Sequence, residues 1–165
     1  MNIFFLSICP KEAAHMHCDK HVVKMIIETA QMLYSAHWML SPDYVPTTAY
    51  RLAHKNHPCS IWVRTSLDNY MWLCSLGIHL CHEYQHRYGE HKRHKTQDHI
   101  EWLIANPPIE IPSIGMTMPA QAMPDEYKQD DPILAYRTFY IESKLKKRNI
   151  VKYTKRDWPE FLLNK

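Results

Sequence analysis

Glycine is scarce in this sequence, three residues in 165. That scarcity argues against a Gly-rich loop cradling a phosphate and against a turn-dense β-sandwich. Paired cysteines are missing as well: Cys9, Cys18, Cys59, Cys74 and Cys81 are odd in number and contain no C-x-x-C. No disulfide framework is expected, and a reducing compartment, cytoplasm or nucleus, fits such a set. The opening apolar run at residues 3–6 is too short for a secretion signal or a membrane span and has no basic residues before it. A soluble protein that stays inside the cell, with no membrane partner, is the expectation. Charge of either sign is nearly balanced. Twenty Lys and Arg against 17 Asp and Glu leave +3, too mild an excess to name a partner.

What is abundant is histidine and aromatic surface: 12 His, 10 Tyr and 5 Trp, high for the length. One domain spanning residues 1–165 suffices, able to bury about 70% of its unfolded surface. No second domain is needed; the oligomeric state is open, with a monomer favoured.

Apolar periodicity predicts an all-α fold, a single compact helical domain with two long central helices. A short extended N-terminal segment and a long proline-rich loop complete it. Pro10 starts a short helix to about residue 15, after which the principal helix runs to about residue 40, before Pro42. Residues 41–55 read as a loop. Asn56, His57 and Pro58 open the second long helix, expected to continue unbroken to about residue 88 and stop at Gly89, with Gly77 marking a close approach of a neighbour. A short helix follows over about 96–105. Residues 106–130 hold five prolines among Ile109, Ile111, Ile114, Met116, Met118 and Met123, which favours a packed loop. Asp131 and Pro132 start the last helix, expected to reach about residue 148.

On the principal helix His17, His21, Lys24, Glu28, Gln31 and Ser35 fall within about a quarter of the circumference, opposite Val22, Ile26, Ala30 and Leu33. This polar stripe is narrow and rich in imidazole. Lys24 and Glu28, four apart, equally suit an ordinary helix-surface pair. His21 and Glu28 lie about 10 Å apart along the axis and can cooperate only across a ligand.

Two further readings stay open. His79, His82, Glu83 and His86 have helical spacing that zinc ligands use, yet no established zinc pattern accompanies them, and no metal or other cofactor is expected. The tail carries Lys144, Lys146, Lys147, Arg148, Lys152, Lys155 and Arg156 with Tyr153 and Trp158 between them. That mixture suits a phosphate backbone with stacked bases, or a solvated helix end.

Three stretches together resemble the phage pyrimidine-dimer DNA glycosylase (endonuclease V) family. They are Asp19-Lys20-His21-Val22-Val23-x4-Glu28; His57 entering a long helix with Leu80-x2-Glu83-x3-Arg87; and Pro124-Asp125-Glu126-Tyr127-Lys128 before a helix and a basic tail. The strings His17-Cys18-Asp19-Lys20-His21, Asn56-His57-Pro58 and Gln121-Ala122-Met123-Pro124 look closest to an uncharacterised phage and large-virus branch. The resemblance implies a small helical enzyme in an infected host cell that excises a base from damaged or modified DNA and cleaves the abasic site. Its nucleophile would be the α-amine of Met1 or, after Met1 removal, of Asn2, forming a Schiff base at the sugar. Glu28 would be the acid-base residue and His21 an active-site or DNA contact. DNA contacts would come from His17, Lys20, Lys24, Gln31, Asn56, His57, Gln121, Lys128, Lys147, Arg148, Lys152 and Tyr153. Ile27 and Gln31 stand where the family carries lesion-contacting arginines, so dimer specificity is not part of the expectation. Two other classes remain: a non-catalytic viral protein binding nucleic acid or a host factor, and a histidine-dependent metal or nucleotide hydrolase.

Overall fold

Proline sets the start of three helices, because a fixed φ and a missing N–H cost nothing in a first helical turn. Pro10 opens α1 (Pro10–Met16), Pro58 opens α3 (Pro58–Thr65) and Pro132 opens α6 (Pro132–Phe139). The other helices are α2 (Asp19–Leu40), α4 (Leu67–Tyr88), α5 (Gln97–Ala105) and the short α7 (Glu160–Leu163). The computed structural model describes residues 1–146 and 151–163, Lys144 by its backbone alone. Among the described residues there is no strand, and no helix is long and apolar enough to cross a membrane.

The two 22-residue helices α2 and α4 pack on one another at the centre, with α1, α3 and α5 against them. Gly77 of α4 sits tightly against both α2 and α5. A Cβ there would lie 3.0 Å from both Thr29 Cγ2 on α2 and Ile100 Cδ1 on α5, so only a hydrogen fits without displacement. Gly89 ends α4 at φ +128°, a backbone angle that side chains resist.

The expected single helix from residue 58 to 88 is two helices. Ser66 is extended (φ −149°, ψ 156°) and its hydroxyl accepts the Asn69 N–H at 3.1 Å, so the chain stops, turns and restarts. A capped restart outweighs the continuous apolar pattern. Ser66→Ala is expected to cost about 1 kcal/mol, read as a lower urea midpoint at unchanged slope.

Residues 2–6 are buried, as the sequence suggests, but are not extended throughout. Arg137 Nε holds the Leu6 carbonyl at 2.9 Å, and Trp72 Nε1 holds that of Ile8 at 2.7 Å. The segment bends at Phe4, whose φ of +52° is a left-handed conformation that costs a non-glycine residue about 1–3 kcal/mol.

Two expectations about the second half need correction. The 106–130 loop is only partly packed: Met123 is buried, but Ile109, Ile114, Met116 and Met118 are exposed. The prolines keep that stretch of the segment out of any helix, and its 3-10 turn at Asp125–Tyr127 comes only after these side chains. The last α-helix ends at Phe139 and continues over Tyr140–Leu145 as a π-helix, in which the Lys146 N–H reaches the Ile141 carbonyl five residues back. The expected end near residue 148 lies outside the described residues.

His17 and His37 are interior side chains. Burial pushes both imidazoles down to about 4, opposed only in part by neighbouring backbone carbonyls. An unfolded chain takes up these protons near the ordinary value of 6.5, so the unfolded state binds more protons between pH 6.5 and 4. Stability is therefore complete above pH 6.5 and declines as pH falls through that window, by on the order of 3 kcal/mol per histidine. Urea titrations at pH 7.0 and 4.5 should show a much lower midpoint at the acid pH; equal midpoints would refute the neutral, buried state.

Candidate functional site at the amino terminus

The polar stripe of α2 is a covered seam. Residues 1–5 lie over one end of it, and at the other the Ser35 hydroxyl donates to the Ala53 carbonyl at 2.7 Å. Under this roof Glu28 is 9% exposed and meets three partners. Its Oε2 accepts the Asn2 backbone N–H at 3.0 Å and lies 3.9 Å from the Met1 α-amine. Its Oε1 pairs with Lys24 Nζ at 2.9 Å, one turn back on α2. Lys24 is largely exposed, so that pair contributes little stability and mainly orients the carboxylate. The Lys24 and Glu28 spacing thus makes the ordinary helix pair, on a carboxylate that also faces the chain end.

Asn2 is the residue that aims the amino terminus. Its Oδ1 accepts the Ile3 N–H at 2.8 Å, and its Nδ2 donates to the Ala122 carbonyl at 2.9 Å. Tyr136 fixes that carbonyl's neighbourhood by donating to the Ala120 carbonyl at 2.6 Å while accepting the Ala122 N–H at 3.2 Å. A loop over a hundred residues away therefore sets where the N-terminus points. The Ser60 hydroxyl, in α3, lies 3.9 Å from Met1 Sδ.

His57 caps α3, its Nδ1 accepting the Cys59 N–H at 3.2 Å. Its pKa is lowered, mainly by burial, further by the chain's α-amine and by His54, and opposed by Glu28. The imidazole therefore shares an electrostatic environment with both groups. Cys59, beside Asn2 and Tyr136, is buried, which pushes its thiol up to about 11 and keeps it protonated at neutral pH.

Met1, Asn2, Lys24, Glu28 and His57 are thus brought together. Gln121 stands on the loop that holds Asn2, with its own amide engaged on the Gln129 backbone. Gln31 is half-buried one turn beyond Glu28, and Asn56 is exposed next to His57. Lys20 is exposed at the start of α2, and Lys128 is exposed and pairs with Asp125 at 2.6 Å.

Other assignments do not survive as surface contacts. His17 lies outside α2, at the end of α1, fully buried with its Nδ1–H donated to the Ala13 carbonyl at 2.6 Å. No face of it is left for DNA. His21 is buried too, stacked on Phe4 with ring centroids 5.0 Å apart. Tyr140 accepts the Cys18 N–H at 2.9 Å, and its hydroxyl shares a hydrogen bond of 2.7 Å with His21 Nδ1. His21 supports the N-terminal segment from two turns away along α2. Tyr153 is buried, its hydroxyl donating to the Met16 carbonyl at 2.9 Å and its ring beneath Arg87. Lys152 is exposed, although its carbonyl is drawn inward to the Asp19 N–H at 2.9 Å. Lys147 and Arg148 lie outside the described residues.

Glu83 and Arg87 belong to a separate, buried ion network. Arg87 donates to Asp19 at 3.0 Å, to Glu83 at 2.9 and 3.0 Å, and to the carbonyls of His15 at 3.0 Å and His17 at 2.8 Å. Arg156 closes on Glu83 at 2.5 Å, and Thr154 bonds Asp19 through its N–H at 2.9 Å and its hydroxyl at 2.7 Å. Glu83 is committed to these arginines, which dissolves the zinc spacing of the α4 histidines. Among the described residues no three His, Cys, Asp or Glu side chains are grouped to hold a metal. All five cysteines are free thiols.

Cys59, Tyr136 and the Ala122 carbonyl went unassigned in the sequence, where only the Gln121 to Pro124 string pointed at this loop. Comparison with known protein families, characterised proteins and solved structures finds no match for the chain.

Proposed function

We propose that this protein is a DNA glycosylase with abasic-site lyase activity that uses an α-amine as nucleophile and Glu28 as its acid-base partner. The observation that carries the reading is the pairing of one near-buried carboxylate with the start of the chain. The Met1 amine is 3.9 Å from Glu28 Oε2 and the Asn2 nitrogen 3.0 Å. Either nitrogen, as the free terminus, sits within proton-transfer reach directly or through one water.

In the proposed reaction the amine nitrogen attacks C1′ of an extruded nucleotide as the bond from C1′ to the base breaks, the electron pair leaving with the base. Glu28 takes the proton that the attacking nitrogen releases. Opening of the sugar ring gives an imine, and loss of a C2′ proton then expels the 3′ phosphate. Lys24, exposed beside the carboxylate, suits a phosphate flanking the extruded nucleotide.

Borohydride reduction tests this directly. On a duplex carrying one abasic site, the protein should become covalently attached through its first residue, identified by mass spectrometry of the N-terminal peptide as Met1 or Asn2. Absence of an adduct, or attachment through a lysine side chain, would rule the reading out. A non-catalytic nucleic-acid-binding protein would retain the duplex without trapping or cleaving it, and a metal-dependent hydrolase would lose activity to chelators.

A further inference from the structure

We propose that the loop over residues 114–118 is the surface that enters the base stack of duplex DNA, with Met118 as the wedge that fills the gap beside an extruded nucleotide. The inference rests on the glycosylase reading above and names the residue that opens its substrate.

Met118 is the most exposed large apolar side chain among the described residues, at 70%, and Ile114 and Met116 are exposed just before it. Gly115 turns the chain at φ +83°, and a Cβ there would meet nothing within 4 Å, so the tip projects into open space.

The backbone that displays these side chains is fixed. Every polar group of Thr117 is held. Its N–H donates to Asn69 Oδ1 at 2.9 Å, its hydroxyl accepts from Asn69 Nδ2 at 2.7 Å, and its carbonyl accepts from Trp62 Nε1 at 3.2 Å. Asn69 is fully buried near the start of α4, and its Nδ2 also donates to the Trp62 carbonyl at 2.8 Å. Pro119 restricts the backbone of Met118 from the other side. A buried amide committed to one surface residue thus holds two methionines out where the core makes no use of them. The thioether chain itself stays adaptable, as filling an irregular gap requires.

The same stretch of chain leads into the amino-terminal site. Two residues after Met118 the Ala120 carbonyl accepts the Tyr136 hydroxyl at 2.6 Å, and two further on the Ala122 carbonyl accepts Asn2 Nδ2 at 2.9 Å. Four residues span at most about 14 Å, the rise of about four base pairs. Helix α3 bridges the same gap, with Ser60 beside Met1 and Trp62 beside Thr117. Glu28 and Asn2 are too enclosed to meet a nucleotide still in its stack, so the nucleotide has to come out. Inserting Met or Ile at a base step is a general way to unstack and kink a duplex. Arg64 on α3 and Lys55, joined by Arg64 Nη1 on the Lys55 carbonyl at 2.6 Å, supply positive charge for flanking phosphates.

The test uses a duplex carrying a tetrahydrofuran abasic analogue next to a fluorescent adenine analogue whose emission rises on unstacking. Saturating full-length protein should raise the emission severalfold. Met118→Ala should lose most of that rise at an unchanged unfolding midpoint, and Met118→Leu, which keeps the apolar bulk, should restore it. Met39→Ala, exposed at the end of α2, should match the wild type. No rise with the wild type, an equal rise with Met118→Ala, or a Met118→Leu as low as Met118→Ala would each overturn the proposal. So would self-association that depends on Met118 without any rise, which assigns the loop to a second copy of the chain. The tetrahydrofuran analogue forms no imine, so the outcome is separate from trapping. Trapping without a Met118-dependent rise rejects the wedge alone; such a rise without trapping supports the wedge and rejects the lyase.

Discussion

Glu28→Gln is expected to lower the rate of imine trapping on abasic DNA by about 100-fold or more, the usual share of a positioned acid-base group, while the protein still binds the duplex. The substitution is a fair probe because glutamine matches glutamate in shape. Its Oε1 can go on accepting the Asn2 N–H, so the N-terminal segment keeps that anchor while the ability to take a proton and the charge facing Lys24 and Met1 are lost. Glu28→Asp should be intermediate, with the carboxylate drawn back from a nitrogen now 3.9 Å away. Acetylating the terminus should abolish trapping completely, since an amide nitrogen is no nucleophile, and should leave Glu28 paired with Lys24. An undiminished adduct with Glu28→Gln would remove the carboxylate from the chemistry.

Arg87→Met should be the most damaging single change to stability. The guanidinium is fully buried and ties the end of α1, the start of α2 and the C-terminal half of α4 to one another. Removing it leaves Glu83 and Asp19 facing the interior with fewer partners, a situation that typically costs 3–5 kcal/mol. For a chain of this size that is a fall of about 6–20 °C in melting temperature. Burial raises the pKa of each carboxyl, but hydrogen bonds and charge from Arg156 and Arg87 for Glu83, and from Thr154 and Arg87 for Asp19, outweigh it and hold both lowered. Their contribution is therefore present at neutral pH and lost as pH falls through the lowered values, which adds to the acid sensitivity of His17 and His37. Pairing Arg87→Met with Glu83→Gln should cost less than the sum of the two single changes, because the second removes the charge stranded by the first. A loss below about 1 kcal/mol for Arg87→Met would mean that water replaces the guanidinium at little cost.

The helical class, the α2 helix, the burial of residues 2–6 and the stops at Gly89 and after Leu40 were legible because each depends on neighbours a few positions away. The break at Ser66 follows the same local rule, a serine three residues before Asn69, but apolar residues on both sides disguised it. What local pattern cannot assign is which interior acid takes which distant base. Tyr153 and Arg156 read as a solvated basic tail until Asp19 and Glu83, two acids in need of partners, draw that tail inward. His17 looked like part of the α2 stripe because its spacing is right, yet the chain leaves helical geometry between Met16 and Asp19 and turns the ring into the core. The meeting of Asn2 with Glu28 was suggested by resemblance alone, and its support from Tyr136 and Ala122 crosses more than a hundred residues.

The clamp of Thr154 on Asp19 and Lys152 on the same backbone bears on how the molecule comes into being. Residues 152–156 lie more than a hundred positions after Glu28, so the start of α2 is synthesised well before the segment that fastens it. A chain lacking residues 152–156 would carry every group of the amino-terminal site on a helix whose first turn has lost its partners.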